Sequence, residues 1–400
     1  MNTAVISVYK VANFPDGGGH FWVYMQYVQG LRRLGCDVYW LEQFQPVGDR
    51  KSDAAILSTF FERMQRFGLE GKALLYSIDR KDGGDIRFVG HERSEAEALL
   101  RRADLLLNFH YAIDPRLLGC ARRSALVDID PGLLQFWMST GQLSVPAHDR
   151  YLTTGETVGT SSARFSDCGL DWIHIRPCVS LDLWPVSFDP RCETFTTVST
   201  WLTTDFLKVT ENGRTVLREN TKRVSFLQFQ KLPRLTNQPL ELALYLVDKD
   251  AADRASLERS GWRIRHSREV TSSPETYRSY IQASRGEFSC AKPSCMALQN
   301  AWISDRTLCY LASGKPVVVQ DTGPSAWLPS GDGMFRFTTL EEAAAAFEAI
   351  NANYMRHCRS ARELAACCDA ADVAGRILDE SLGSGSTRTG GAPATGAATR

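Results

Sequence analysis

The stretch SDRTLCYLASGKPVVVQDTG (304–323) decides how the chain is read. Ser304 is of the type that caps a helix start, and Asp305 and Arg306 fall in the first turn. Gly314 stops the helix, and KPVVVQD (315–321) is a short apolar run that dives into a sheet. Asp321, Thr322 and Gly323 then form a loop at the same sheet edge. A helix feeding directly into a buried strand belongs to a β–α–β unit, whose ligands collect at the carboxyl ends of the strands. Two readings of the helix start follow. In one, Ser304 caps and Asp305 complements the helix dipole. In the other, the free N–H groups and Thr307 hold phosphate oxygens while Asp305 accepts from a ribose hydroxyl.

Outward from this stretch, short apolar runs alternate with helical patterns. Strands are expected at AVISVY (4–9), DVYWLE (37–42), ADLLLN (103–108), SALVDID (124–130), RYLTTGE (150–156) and DWIHIRP (171–177). A composition shift at VSLDLWPVSFDPRCE (179–193) marks a linker near 185–192. A second series follows at FTTVSTW (195–201), LELALYLVD (240–248), GWRIRHS (261–267), GEFSC (286–290) and KPVVVQD. The expected fold class is α/β, with two Rossmann-like units in tandem. The length of 400 residues fits, since it exceeds what one core usually holds. Residues from Gly383 on lack an apolar face and are expected to be disordered.

Lys+Arg and Asp+Glu both number 46, so net charge argues against a polyanionic partner, nucleic acid included. The start MNTAVISVYK reads as a first strand rather than a leader, and no apolar run is long enough to span a membrane. Eleven scattered cysteines without zinc-site spacing read as reduced thiols, which points to the cytoplasm.

A second candidate region is PDGGGHFW (15–22). Gly17, Gly18 and Gly19 permit positive φ and close approach of a diphosphate to the backbone, unless they form a surface turn. His20 follows directly and falls at the same cleft edge, as a ligand-facing group or a helix cap. Asp128 and Asp130 in VDIDPG resemble the D-x-D motif of GT-A glycosyltransferases. They also suit a turn, an acceptor contact or a general base. His110 follows the strand ADLLLNF, and Glu156 leaves another strand through Gly155; both are candidates for an interdomain groove.

Taken together, helix–Leu-Ala-x-Gly-x-Pro-Val-Val-strand–Asp-Thr-Gly resembles the donor-binding half of GT-B glycosyltransferases, of the family-4-like, group 1 type. The glycine loop and helix at 15–35, followed by GCDVYWLE, resemble the acceptor-domain entry of the same fold. The resemblance implies two Rossmann-like domains facing each other across a cleft. They are an acceptor domain, 1–187, and a nucleotide-sugar donor domain, 188–382, followed by the disordered tail, 383–400. It also implies sugar transfer from a nucleotide-diphosphate sugar to a small-molecule or glycan acceptor, without metal or resident cofactor. Retaining relatives carry two glutamates seven residues apart. Here Cys309 stands at the second position and Glu287 is the candidate for the first, so either Asp305 takes the ribose role from one turn earlier or the site differs. Cations implied for the leaving diphosphate are Lys292 and the pair Lys222-Arg223, of which Arg223 joins the candidate donor contacts.

The implied assignments are therefore His20, Glu287 and Asp130 for catalysis. Gly17, Gly18, Gly19, Arg223, Lys292, Ser304, Asp305, Arg306 and Thr307 fall to the donor, and His110, Asp128 and Glu156 to the acceptor. The alternatives are a sugar-nucleotide epimerase of the same fold, using Asp128 and Asp130, and a binding protein without turnover, motivated by Cys309.

Overall fold

The computed structural model describes residues 1–79, 84–201, 206–211 and 214–383. The expected disordered tail lies, from residue 384 on, outside the described residues. The first lobe is built on β1 (Thr3–Val8), β2 (Asp37–Gln43), β3 (Ala73–Asp79), β4 (Asp85–Phe88), β5 (Leu105–Asn108), β6 (Ser124–Asp128), β7 (Arg150–Thr153) and β8 (Trp172–His174). They lie in the order β4-β3-β2-β1-β5-β6-β7-β8, parallel except for the β3–β4 pair. β3 and β4 extend the sheet beyond the strands expected from the sequence.

The second lobe begins with β9 (Phe195–Thr200). A two-stranded antiparallel hairpin follows, β10 (Phe206–Glu211) with β11 (Arg214–Glu219). Then come β12 (Leu240–Tyr245), β13 (Arg263–His266), β14 (Gly286–Ser289), β15 (Val317–Gln320) and β16 (Met334–Phe337). The sheet order β13-β12-β9-β14-β15-β16 is wholly parallel and is that of a doubly wound nucleotide-binding fold. β15 carries an unbroken buried run, Val317, Val318 and Val319, as a central parallel strand must.

The order of each sheet fixes where a ligand fits. The chain winds away in opposite directions from the adjacent strands β1 and β5, and again from β9 and β14. The crevice beyond the carboxyl ends of such a pair has no crossing helix to fill it. Both crevices face the gap between the lobes.

The lobes are joined by a continuous core. One apolar cluster runs from Ile6, Trp22 and Trp40 of the first lobe to Leu308, Val317 and Ile377. Trp22, on the helix Gly18–Arg33, donates from Nε1 to the Pro274 carbonyl at 2.9 Å and packs on Trp184 at 5.1 Å between ring centroids. The last helix, Ala370–Leu382, returns to the first lobe, where its start presses on Gly30: a Cβ there would lie 2.1 Å from the Ala370 carbonyl oxygen.

The glycine loop departs from expectation in its mechanism. None of Gly17, Gly18 and Gly19 takes a positive φ. What they supply is the absence of a side chain: a Cβ on Gly18 would meet the Ser273 carbonyl oxygen at 2.2 Å, and one on Gly19 the Tyr277 ring at 2.8 Å. The loop lets the two lobes touch backbone to backbone. Glu42 at the end of β2 anchors its approach, accepting from the Ala12 N–H at 2.7 Å and the Trp40 indole at 2.9 Å. Burial raises the Glu42 carboxyl to about 7.

Candidate active site

Two adjoining cavities, of about 360 and 560 Å³, open at the carboxyl end of β9 between the lobes. They share Val198, Ser199 and Thr200 from β9, Ser304, Asp305 and Arg306 from the second lobe, and His20 from the first. Thus the stretch 304–306 and the histidine after the glycine loop, 284 residues apart between His20 and Ser304, meet across one gap.

The helix Asp305–Ala312 starts as its sequence suggests: Ser304 Oγ accepts from the Arg306 N–H at 3.3 Å. Asp305 faces both cavities, and its carboxyl is raised by burial. Arg306 is held on three sides. Its Nε donates to Glu287 Oε1 at 2.7 Å, and its two terminal nitrogens to the Val198 carbonyl at 2.8 Å and Ser289 Oγ at 2.5 Å. The guanidinium therefore ties β9 and β14 to the helix start while one edge borders the cavity. Glu287, expected to touch a sugar, is 0% exposed and lines neither cavity. Its place in the middle of β14 turns it into the counter-ion of Arg306. Thr307 is likewise buried and lines neither cavity.

The cation pair resolves in favour of its first member. Lys222, at the start of the helix Lys222–Gln228, lines the smaller cavity with Nζ 5.2 Å from the centre of the Trp302 ring. Burial, with Arg306 close by, pulls its ammonium down to about 7. Arg223 points the other way and pairs with Asp253, Nε to Oδ2 at 2.5 Å, outside both cavities. One residue along a helix turns the side chain by about 100°. Lys292, the cap residue of the helix Pro293–Leu298, also lines the smaller cavity.

On the first-lobe side, Nε2 of His20 sits 2.6 Å from the Tyr9 carbonyl. A carbonyl only accepts, so neutral His20 carries its proton on Nε2 and leaves Nδ1 basic. Burial lowers its pKa. Asp130 lines the same cavity and accepts from the Tyr111 hydroxyl at 3.3 Å. Asp128 is fully buried. Its carboxylate accepts from Gln135 Nε2 and Thr153 Oγ1, both at 2.9 Å, and from the Asp130 N–H at 3.0 Å. Burial raises it to about 7. Asp128 thus shapes the turn that presents Asp130, and an acceptor contact by Asp128 is excluded by its burial.

Asp130 also lines a third cavity, of about 440 Å³, at the β1–β5 crevice of the first lobe; His110 is part of its wall. Glu156 lies elsewhere. It accepts from the Ser325 hydroxyl and from the N–H groups of Ala326 at 2.8 Å and Trp327 at 3.4 Å, so it clasps the lobes together and lines none of these three cavities. Of the glycines, Gly17 and Gly19 border the larger cavity; Gly18 is spent on the lobe contact. Cys309 is buried against the first lobe, with Gln26 Nε2 3.7 Å from its sulfur. Cys309 thus faces packing, and Asp305 one turn earlier faces the cavity. Among the described residues, no group of three or more His, Cys, Asp or Glu side chains is arranged to hold a metal ion. No helix among them is long and apolar enough to cross a membrane.

The architecture is that of the GT-B fold, and its likeness to solved structures extends over nearly the whole chain. HepE of Anabaena, solved with UDP-glucose, superposes with a TM-score of 0.57 at 10% identity, covering 95% of this chain and 99% of that one. A glycosyltransferase of Rickettsia africae gives 0.53 at 10%, covering 96% and 99%. Sucrose-phosphate synthase of Thermosynechococcus elongatus gives 0.52 at 11%, covering 95% and 98%. No protein-family model and no curated protein matches the sequence.

Proposed function

We propose that this chain transfers a sugar from a nucleotide-diphosphate sugar to a hydroxyl of an acceptor, with no resident metal. The observation that carries the reading is the junction itself. A capped helix start with a cavity-facing carboxylate and a flanking lysine lies opposite a histidine and a second carboxylate from the other lobe. In this reading the diphosphate lies against the helix start, where the positive end of the helix dipole, Lys222 and Lys292 offset its charge. Asp305 accepts from the ribose. His20 borders the sugar, and Asp130 stands where donor and acceptor cavities join.

The acceptor oxygen forms a bond to the anomeric carbon, and its proton passes to Asp130. The bond from that carbon to the diphosphate oxygen breaks, and its electron pair leaves with the nucleoside diphosphate. Cations beside the leaving oxygens matter more here than in water, because Lys222 and Asp305 are partly buried. An epimerase reading loses its second carboxylate, since Asp128 is buried away from the cavity. Because HepE was solved with UDP-glucose, uridine ligands are the first probes.

Thermal unfolding with UDP, GDP, ADP and their glucose conjugates tests the reading. A ligand present at a hundred times its dissociation constant adds about 2.7 kcal/mol of stability, and a clear rise in melting temperature is expected for one base. Asp305→Ala should weaken that ligand by about 1–3 kcal/mol, the loss of a charge-assisted hydrogen bond. If no nucleoside diphosphate moves the melting temperature, or if Asp305→Ala binds as tightly as the parent, the assignment is wrong.

A further inference from the structure

The third cavity has a composition that names its occupant. Its walls are aromatic, formed by Tyr9, Tyr24, Phe109, Tyr111 and Trp137; Ala112, Ile129 and Leu143 add aliphatic surface, and His110, Asp130 and Gln142 add polar groups. No lysine or arginine lines it, and Lys10 stands outside, over the Tyr9 ring at 5.0 Å. The one carboxylate is Asp130, which is also the one residue this cavity shares with the smaller of the two cavities at β9. The wall contains an unmet polar demand as well. His110 is 6% exposed, and its Nδ1 has no hydrogen-bond partner among the described residues. Burial, with Lys10 nearby, lowers this histidine to about 4, so it stands neutral at pH 7.

We infer that this chamber is the acceptor subsite and that it takes a neutral, largely apolar aryl alcohol. The inference rests on the transferase reading above and supplies its missing substrate class. A volume of 440 Å³ lies in the range of sites for drug-sized molecules, which are typically aromatic-lined with a few placed polar groups. A phosphorylated or carboxylated acceptor would enter without a lining cation and against Asp130. A free oligosaccharide carries more hydroxyls than His110, Gln142, Asp130 and the tyrosine hydroxyls can meet, at a cost for each unmet hydrogen bond. A planar aryl compound stacks instead, and its few hydroxyls meet the groups available. One satisfies His110, which in neutral form pairs with a hydroxyl as donor or acceptor. Another reaches Asp130 at the junction, where the proton is to be taken.

The test is equilibrium binding to the whole chain of a panel of neutral phenols, 4-methylumbelliferone and 2-naphthol among them. Maltose and glucose 6-phosphate represent the competing classes, and UDP is titrated in parallel. Two variants address the chamber. Trp137→Ala removes a wall from a half-buried position, and Ala112→Trp fills the chamber from an exposed rim position. At least one phenol of the panel should bind, weakened about tenfold by Trp137→Ala, in line with loss of an aromatic contact, and excluded by Ala112→Trp. UDP affinity should stay within twofold in both variants, which also shows that they fold. The inference is overturned if no phenol binds, if phenol binding ignores both substitutions, or if maltose or glucose 6-phosphate binds with the expected dependence on them. Failure of UDP to bind while a phenol binds at this chamber would instead remove the transferase reading and leave the aryl site standing.

Discussion

At the scale of single residues, the smaller cavity is governed by Lys222. Its ammonium is drawn down to about 7 by burial and by Arg306, with Lys292 also opposing its charge and Glu287 and Cys295 favouring it. Above pH 7 the free site therefore holds mostly neutral amine. A diphosphate arriving beside it favours the charged form and raises its pKa, so binding draws in a proton between the free and bound values. UDP binding measured by calorimetry at pH 8 in buffers of different ionisation enthalpy should show proton uptake, with affinity falling as pH rises from 6.5 to 8.5. Lys222→Met should abolish the uptake and weaken UDP roughly 10- to 100-fold, the range for a hydrogen bond to a charged group. Uptake that persists in the variant would assign the proton to another group facing the cavity, His20 or Asp305. The sequence pointed to the Lys222-Arg223 pair but carried the wrong member forward. Adjacent residues on a helix differ by a rotation, and the rotation depends on where the helix sits against its sheet. Glu287 was misread for a related reason. A carboxylate in an apolar strand is visible in sequence, whereas the Arg306 that occupies it is 19 positions away.

At the scale of elements, the helix starts were legible and the loops' purposes were not. Ser304, Gly314 and the run 317–319 act locally, so capping and strand propensity sufficed to place them. β3 was missed although Ala73–Tyr76 is an apolar run, and so was the hairpin of β10 and β11, whose alternating strands flank Asn212-Gly213, a strong hairpin signal. The glycine loop was read as a ligand cradle on general grounds, yet Gly18 is required by the backbone of residues 271–273, a contact that no local pattern encodes. Gly18→Ala places a methyl group against carbonyl atoms that cannot rotate aside. It should cost about 1–3 kcal/mol, as overpacking does, and denaturant melts read the loss directly. Gly19→Ala meets the edge of the Tyr277 ring, which can shift, and should cost less. Equal stability of the Gly18→Ala variant and the parent would mean that the lobe contact is looser than described.

At the scale of the molecule, two lobes with separate sheets would ordinarily melt as separate units, because domains within a chain share modest, polar interfaces. Here the coupling is stronger. The core cluster passes through both lobes, the helix Ala370–Leu382 closes the chain back onto the first, and Arg33 pairs with Asp369 at 3.1 Å where that helix begins. Glu156 adds a clasp onto residues 325–327. Contacts between the lobes also border the cavities, since Asn300 Nδ2 donates to the Pro131 carbonyl and both residues line the smaller one. Scanning calorimetry of the full chain should therefore show one cooperative transition with matching calorimetric and van't Hoff enthalpies. Truncation after Cys368 removes the returning helix and uncovers the face of the helix Gly18–Arg33 around Gly30, on which Ala370 packs. That variant should lose several kcal/mol, as removal of buried apolar side chains does, and its transition should split in two. Two resolved transitions in the intact chain would show that the shared core does not couple the lobes. Donor binding would then be expected to raise only the second, whereas in a single cooperative unit it raises the whole transition.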